Sequence, residues 1–426
     1  MVDARGLSLD QAPPIHLPLR FFLTAPWLAV AAGLVPAMLG AEASASRWTP
    51  GALAVTHLLA LGFLAQVMCG ALLQMLPVIA GAPVPRASLV APVTHAALTG
   101  GSVLLAAGFI GGGAVLLGSG AAAAGFGLAV YLGALTPALI RAKGAVATRT
   151  ALRLAGIALG LTVVLGLVAT ATLLGWLGLP GLTDWVQAHL SWGLFGWVGL
   201  TIVGIAYQVV PLFHVTPAYP VWLTRWLAPL LFLALAGGTL LVLVGRAGPA
   251  EGPYWALALG FATFAVATLW LQRRRSRPRV DATLIHWWMA MGALLGSALA
   301  WWLQAPAELL GVLLLVGVGV GLPSGMLLKI VPFLCWFHLQ SRQVALGRFD
   351  VRVPHMHHLL PDRLSRWHPP LHALALVLLA AGTLEPVLTR IGGAVLAVSA
   401  LWLFGLLASA AWRYRRVSLA LGGTEA

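Results

Sequence analysis

Apolar runs of twenty or more residues with scarcely a charge recur along the whole chain, and the charged residues collect in the links between them. About 20 apolar residues span a bilayer core as a helix. In lipid every backbone N–H and C=O must also be satisfied within its own segment. That pairing of pattern and solvent leaves one fold class, an all-α polytopic membrane protein. The runs predict twelve transmembrane helices, near residues 21–42, 52–80, 88–112, 114–139, 151–177, 185–213, 224–245, 253–272, 282–303, 307–339, 370–388 and 391–412. Ahead of the first run, Arg5 and Asp10 precede Pro13-Pro14, which is not the pattern of a cleavable signal. Cys69 and Cys335 both fall in apolar runs and read as small core residues.

One pattern returns three times. Gly70-Ala-Leu-Leu-Gln74-Met-Leu-Pro77, Gly204-Ile-Ala-Tyr-Gln208-Val-Val-Pro211 and Gly325-Met-Leu-Leu-Lys329-Ile-Val-Pro332 each place Gln or Lys four residues after Gly and Pro three further on. These lie in the second, sixth and tenth spans. The chain therefore reads as a single transmembrane domain of three related four-helix units, near 21–139, 151–272 and 282–412, with 340–369 as a cytoplasmic loop. The glycine suits close helix approach, and the proline is expected to bend or end the helix. Packing copied by duplication accounts for the pattern; a polar path lined by Gln74, Gln208 and Lys329 is the functional alternative.

The net charge of +14 raises the question of nucleic acid, and its distribution answers it. One side of the twelve spans collects Arg5, Arg20, Arg86, Arg141, Lys143, Arg149, Arg225, the run from Arg273 to Arg279, the arginines of 340–369, and Arg413, Arg415 and Arg416. The other has Arg47, Arg246 and Arg390, accompanied by Glu42, Asp184, Glu251, Glu308 and Glu385. That asymmetry places both termini in the cytoplasm of a bacterial inner membrane, with lipid as the partner and no nucleic acid or nucleotide. Trp27, Trp48, Trp222, Trp226, Trp367 and Trp412 read as interface anchors, and Trp287-Trp288 and Trp301-Trp302 as a second such bracket around the ninth span.

Ligating side chains within spans are expensive and mark function. His57 and His189 occupy the same place in the second and sixth spans, each followed by a glycine-bearing turn. At 100° per residue His57, Leu61, Leu64, Met68 and Met75 share a face, as do His189, Gly196, Tyr207 and His214. A histidine facing the bundle interior offers one nitrogen to a metal while the other donates a hydrogen bond, and neighbouring glycines leave room for a flat macrocycle. His57, His189 and His214 are thus candidate cofactor ligands, with His57 and His189 also candidates for a bare metal. Weaker candidates are His95, His286, His338 and His372 near inner ends, and the loop cluster His355-Met356-His357-His358 with His368. The alternative for each is an interhelical hydrogen bond.

Twelve spans in three units, with His57-Leu-Leu-Ala-Leu-Gly62 and His189-Leu-Ser-Trp-Gly-Leu-Phe-Gly196 near the outer ends of the second and sixth, resemble subunit I of haem-copper oxidases. The local sequences, with His214-Val-Thr-Pro217, are similar to the divergent NnrS family of that fold. The resemblance implies a haem, of b type, at His57, copper at His189, and a role in nitric-oxide handling, redox sensing or electron transfer, with a redox partner or a place in a respiratory complex. The seventh span has no histidine, and the tenth has one only at its inner end, His338. No tyrosine follows His189 four residues on, so the full dinuclear oxygen-reducing site is not expected. A haem-free transporter is the principal alternative, since internal repeats are common there. A structural or assembly subunit is the third.

Overall fold

A computed structural model of the protein describes residues 12–422, apart from the side chains of Ile79 and 247–250; Arg5 and Asp10 lie outside that range. Among the described residues every regular element is helical. The helices are α1 (His16–Leu39), α2 (residues 50–80), α3 (Ala87–Gly111), α4 (Ala114–Arg141), α5 (Val146–Leu173), α6 (Leu182–His214), α7 (Val221–Leu243), α8 (Ala247–Arg273), α9 (Ala282–Trp302), α10 (Ala307–Leu346), α11 (His368–Ala381) and α12 (Pro386–Ala420). Eleven of these described helices are long and apolar enough to cross a membrane. The chain is an all-α polytopic membrane protein.

The eleventh expected span differs. α11 has 14 residues, a rise of about 21 Å, which is short of a bilayer core of roughly 30 Å. The apolar run continues to residue 388, but the chain turns at Gly382. There Thr389 Oγ1 donates to the Gly382 carbonyl at 3.0 Å, and a Cβ on Gly382 would stand 2.6 Å from that hydroxyl. Pro386 then opens α12, where its missing N–H costs nothing.

The chain divides into two compact units. The first is built from Ala71–Pro278 with Leu294–Ala305, the second from Pro14–Gly70, Arg279–Ala293 and the chain from Pro306 onward. In the first, α3 and α4 form a close hairpin, and Arg153 of α5 donates to the carbonyls of Leu139 and Ile140, both at 2.9 Å, satisfying the end of α4. In the second, α1 lies along α12. A Cβ on Gly33 would be 2.6 Å from the Ala397 nitrogen, and one on Gly393 would be 2.6 Å from the Gly33 oxygen, so only small residues permit that approach.

The three helices that carry the repeated pattern share a feature that their sequence does not predict. Each begins as α-helix, passes through a π-helical stretch and resumes as α-helix. The stretches are Leu58–Ala65, Trp192–Gly199 and Val312–Val320, and each ends five residues before its repeated glycine, Gly70, Gly204 or Gly325. The i→i+5 bonding of such a stretch winds less per residue than an α-helix. Residues beyond it are therefore turned away from the face that a constant 100° assigns them, and the two faces drawn through His57 and His189 do not continue past residues 58 and 192.

The repeated glycines also behave alike. A Cβ on Gly70 would be 2.9 Å from Phe21 Cβ of α1, and one on Gly204 would be 2.8 Å from Ala151 Cβ of α5. One on Gly325 would overlap Cβ of His286 in α9. Each glycine thus receives the helix that precedes its own. The prolines are less uniform: α2 and α6 end three residues after Pro77 and Pro211, whereas α10 runs on from Pro332 to Leu346.

Cys69 and Cys335 are buried. The six expected anchor tryptophans, from Trp27 to Trp412, are all exposed at the surface of the protein. Trp287 departs from expectation: it is buried, and its Nε1 donates to Met326 Sδ at 3.2 Å.

Candidate functional site

In the first unit, His189 stands half-buried one turn before the π-helical stretch of α6, and its Nδ1 lies 2.9 Å from the Thr162 carbonyl of α5. A carbonyl only accepts, so the ring hydrogen sits on Nδ1 and Nε2 is the basic nitrogen. Gly166 of α5 makes room for the ring, since a Cβ there would be 2.7 Å from His189 Cε1. His214 ends α6, buried, with Gln272 Nε2 donating to its Nδ1 at 3.1 Å. That bond engages the lone pair which a ligand role would need.

In the second unit, His57 is half-buried immediately before the π-helical stretch of α2, with Nδ1 2.8 Å from its own helix's Leu53 carbonyl. Its tautomer is therefore the same as that of His189. The glycines beside these histidines do not open a cradle. A Cβ on Gly62 would meet Leu28 at 2.7 Å, one on Gly196 would meet Ala158 at 2.8 Å, and one on Gly193 would meet Thr162 Cγ2 at 3.2 Å. Those glycines serve helix packing. His57 belongs to the second unit and His189 to the first, and each is positioned by its own neighbours.

The polar members of the repeat have three different uses. Gln74 is buried, Gln208 Nε2 donates to Thr148 Oγ1 at 3.4 Å, and Lys329 Nζ pairs with Asp281 at 2.7 Å. The loop histidines are exposed: His357 faces Asp362 at 3.4 Å, and His355 stacks on Trp336 with ring centres 6.1 Å apart. Of the remaining candidates, His95 is half-buried in α3, and His338 is half-buried and edge-on to Phe337.

The densest arrangement of imidazoles lies elsewhere in the second unit. His286 of α9 and His368 and His372 of α11 are all buried, at 0, 1 and 0% exposure, with ring centres 4.9 Å (His286–His368), 5.6 Å (His286–His372) and 6.1 Å (His368–His372) apart. Helix α11 places His368 and His372 on one face, four residues apart. Gly325 and Gly321 of α10 lack the side chains that would displace His286 and His372. His286 Nε2 is 2.8 Å from His368 Nδ1, His368 Nε2 is 3.5 Å from Ser399 Oγ, and His372 Nε2 is 3.1 Å from the Val316 carbonyl. Val316 lies in the π-helical stretch of α10, where its oxygen also accepts the Gly321 N–H.

From the sequence, His286 and His372 are expected as separate inner-end candidates and His368 as a loop residue. Pro369-Pro370 masked the start of α11, because those prolines occupy its first turn. Among the described residues no group of three or more His, Cys, Asp or Glu side chains is arranged to hold a metal ion. Compared with known proteins, the chain matches no family model and no curated protein sequence.

Proposed function

We propose that the chain is a haem- and/or copper-binding protein of a bacterial inner membrane, built as three four-helix units and acting in nitric-oxide handling, redox sensing or electron transfer. The observation that carries this reading is the shared setting of His57 and His189. Each stands at the head of a π-helical stretch, in helices bearing the same Gly-Gln-Pro pattern, with Nδ1 held by a main-chain carbonyl at 2.8 or 2.9 Å. A carbonyl on one nitrogen is the usual way a ligating imidazole is fixed with the other nitrogen basic. π-Helical turns cluster at functional sites, and their recurrence five residues before Gly70, Gly204 and Gly325 supports the three-unit reading. The packed glycines beside both rings favour a bare metal over a macrocycle lying against those helix faces.

The test is an optical and metal-content measurement on protein purified in mild detergent, oxidised and reduced. Wild type is expected to carry haem iron or copper in stoichiometric amount, and His57→Ala and His189→Ala to shift or abolish that signal. Protein without either metal, showing substrate-dependent flux in proteoliposomes, would overturn the proposal in favour of a transporter.

A further inference from the structure

Among the described residues of the second unit, three imidazole nitrogens are buried without a partner: Nε2 of His338, and two that lie close together. Nδ1 of His286 and Nδ1 of His372 are both buried without a hydrogen bond. Leaving a buried polar atom unsatisfied costs about 1–3 kcal/mol, and here two such atoms belong to rings whose centres are 5.6 Å apart.

The tautomers follow from their partners. The Val316 carbonyl only accepts, so His372 carries its hydrogen on Nε2 and presents a bare lone pair at Nδ1. If His286 Nε2–H donates to His368 Nδ1, then His368 Nε2–H is directed at Ser399 Oγ, and every imidazole N–H in the cluster has an acceptor. The opposite direction strands a buried N–H at His286 Nδ1. The favoured scheme therefore leaves two buried lone pairs, one on each ring, while the other nitrogen of each ring donates outward.

We infer that His286 and His372 hold a single transition-metal ion between their Nδ1 atoms, with monovalent copper the best fit, and that His368 is a positioning residue that orients His286. Two imidazoles on one ion, with metal–nitrogen bonds of about 2.0–2.1 Å and ring centres about 1.1 Å beyond, have centres roughly 5–6 Å apart. The observed 5.6 Å lies in that interval. An outward hydrogen bond from the second nitrogen, to a carbonyl for His372 and to an imidazole for His286, is the support that metal-bound histidines ordinarily have. Imidazole suits copper, and 5.6 Å corresponds to a bent pair of nitrogens, shorter than the about 6.2–6.4 Å of a linear one, so a third ligand completes a near-trigonal site of the kind monovalent copper accepts and zinc, which calls for four ligands, does not. The site goes beyond the assignment of His57 and His189 and involves neither residue.

The full-length protein is loaded with Cu(I) under reducing conditions and desalted, in a background with His355, His357 and His358 replaced by Ala to remove surface binding. Copper per chain is counted, and X-ray absorption reads the ligands. Expected is one equivalent more than the His286→Ala/His372→Ala double variant holds, an equivalent that either single substitution removes and that His368→Ala weakens about 10–100-fold. Metal at His57 and His189 is read separately, in the optical spectra of their own Ala variants, so failure of that assignment and failure of this site are distinguishable. Equal copper in the background protein and in the His286→Ala/His372→Ala double variant would overturn the site. Where a variant aggregates, His57→Ala and His189→Ala are added to the background and its absorption spectrum decides: two imidazole nitrogens at about 2 Å support the site, and a shell of sulfur or oxygen alone rejects it.

Discussion

Gly325 and His286 occupy one another's space so closely that a methyl group on the first would overlap Cβ of the second. The glycine belongs to a pattern repeated in α2, α6 and α10, yet only in α10 does it face a histidine; its counterparts face Phe21 and Ala151. Gly325→Ala is expected to destabilise the protein by about 1–3 kcal/mol, the range for overpacking a close interface. Gly204→Ala and Gly70→Ala act in the same direction, against Ala151 Cβ at 2.8 Å and Phe21 Cβ at 2.9 Å. Thermal unfolding in detergent measures all three. Only Gly325→Ala is expected to lower bound Cu(I) as well, and equal copper in all three variants would separate packing from ligand placement.

Asp281 has two roles at the start of α9. Its Oδ1 accepts the Leu284 N–H at 3.0 Å, as a helix cap, while Oδ2 pairs with Lys329 Nζ at 2.7 Å. Both side chains are only about one-fifth exposed, so the pair is partly desolvated. Removing one partner strands the other charge, whereas removing both is nearly neutral. Asp281→Asn keeps the cap and loses the charge, and is expected to cost about 1–3 kcal/mol. Asp281→Ala also loses the cap and costs about 1 kcal/mol more. Lys329→Met in the Asp281→Asn background is expected to recover part of the loss. A double-mutant cycle by chemical denaturation checks the sign.

Helix positions were legible in the sequence because a bilayer imposes a length on every apolar run; apart from α11, the ends differ by up to eight residues, most where α10 and α12 run on past their apolar cores to Leu346 and Ala420. The π-helical stretches were not legible. Leu58–Ala65, Trp192–Gly199 and Val312–Val320 contain no charged residue, and a segment apolar on every side has no periodicity for a change of winding to interrupt. The histidine cluster was hidden for a different reason. His286 and His372 are 86 positions apart, and their approach is set by which face of α11 meets α9, a tertiary choice with no local signature. His368 was further disguised by the two prolines after it, a breaker signal inside a helix and a starting signal at its first turn. Trp287 was misplaced by the same limit: its sequence neighbourhood suits an interface anchor, and only packing against Met326 makes it a core residue.

In the first unit Tyr219, in the link between α6 and α7, shares a buried hydrogen bond with Thr268 of α8, with hydroxyls 2.8 Å apart. Thr268 Oγ1 also donates to the Phe264 carbonyl, so Tyr219 is the donor between the two hydroxyls. Tyr219→Phe leaves Thr268 donating as before and is expected to cost about 0.5–1.5 kcal/mol. Thr268→Val strands the phenol O–H in a buried site and is expected to cost more, about 1–3 kcal/mol. Burial pushes the Tyr219 phenol above its ordinary value, the Thr268 bond opposing this and the neighbouring Tyr207 adding to it. The folded state therefore keeps this proton where the unfolded chain loses it. Its contribution to stability is constant below an unfolded value of about 10 and falls as pH rises beyond it. Tyr219→Phe is expected to flatten that alkaline decline, which a series of unfolding curves above pH 9 measures.

Gly166 and His189 provide a test of ligand placement that leaves the ligand intact. A Cβ on Gly166 would sit 2.7 Å from His189 Cε1 and 3.0 Å from Nδ1, the atom held by the Thr162 carbonyl. Gly166→Ala must therefore push the ring, and the first bond it disturbs is the one that fixes the tautomer. If His189 binds a metal through Nε2, weakening that support is expected to lower affinity about 10–100-fold and to shift the optical spectrum without abolishing it. Gly160→Ala in the same helix, whose Cβ would meet only Leu132 Cδ2 at 3.3 Å, is the control. A spectrum unchanged by Gly166→Ala, in protein that unfolds at the wild-type temperature, would remove His189 from the ligand set. A shift confined to Gly166→Ala would place the metal on the ring that this glycine accommodates.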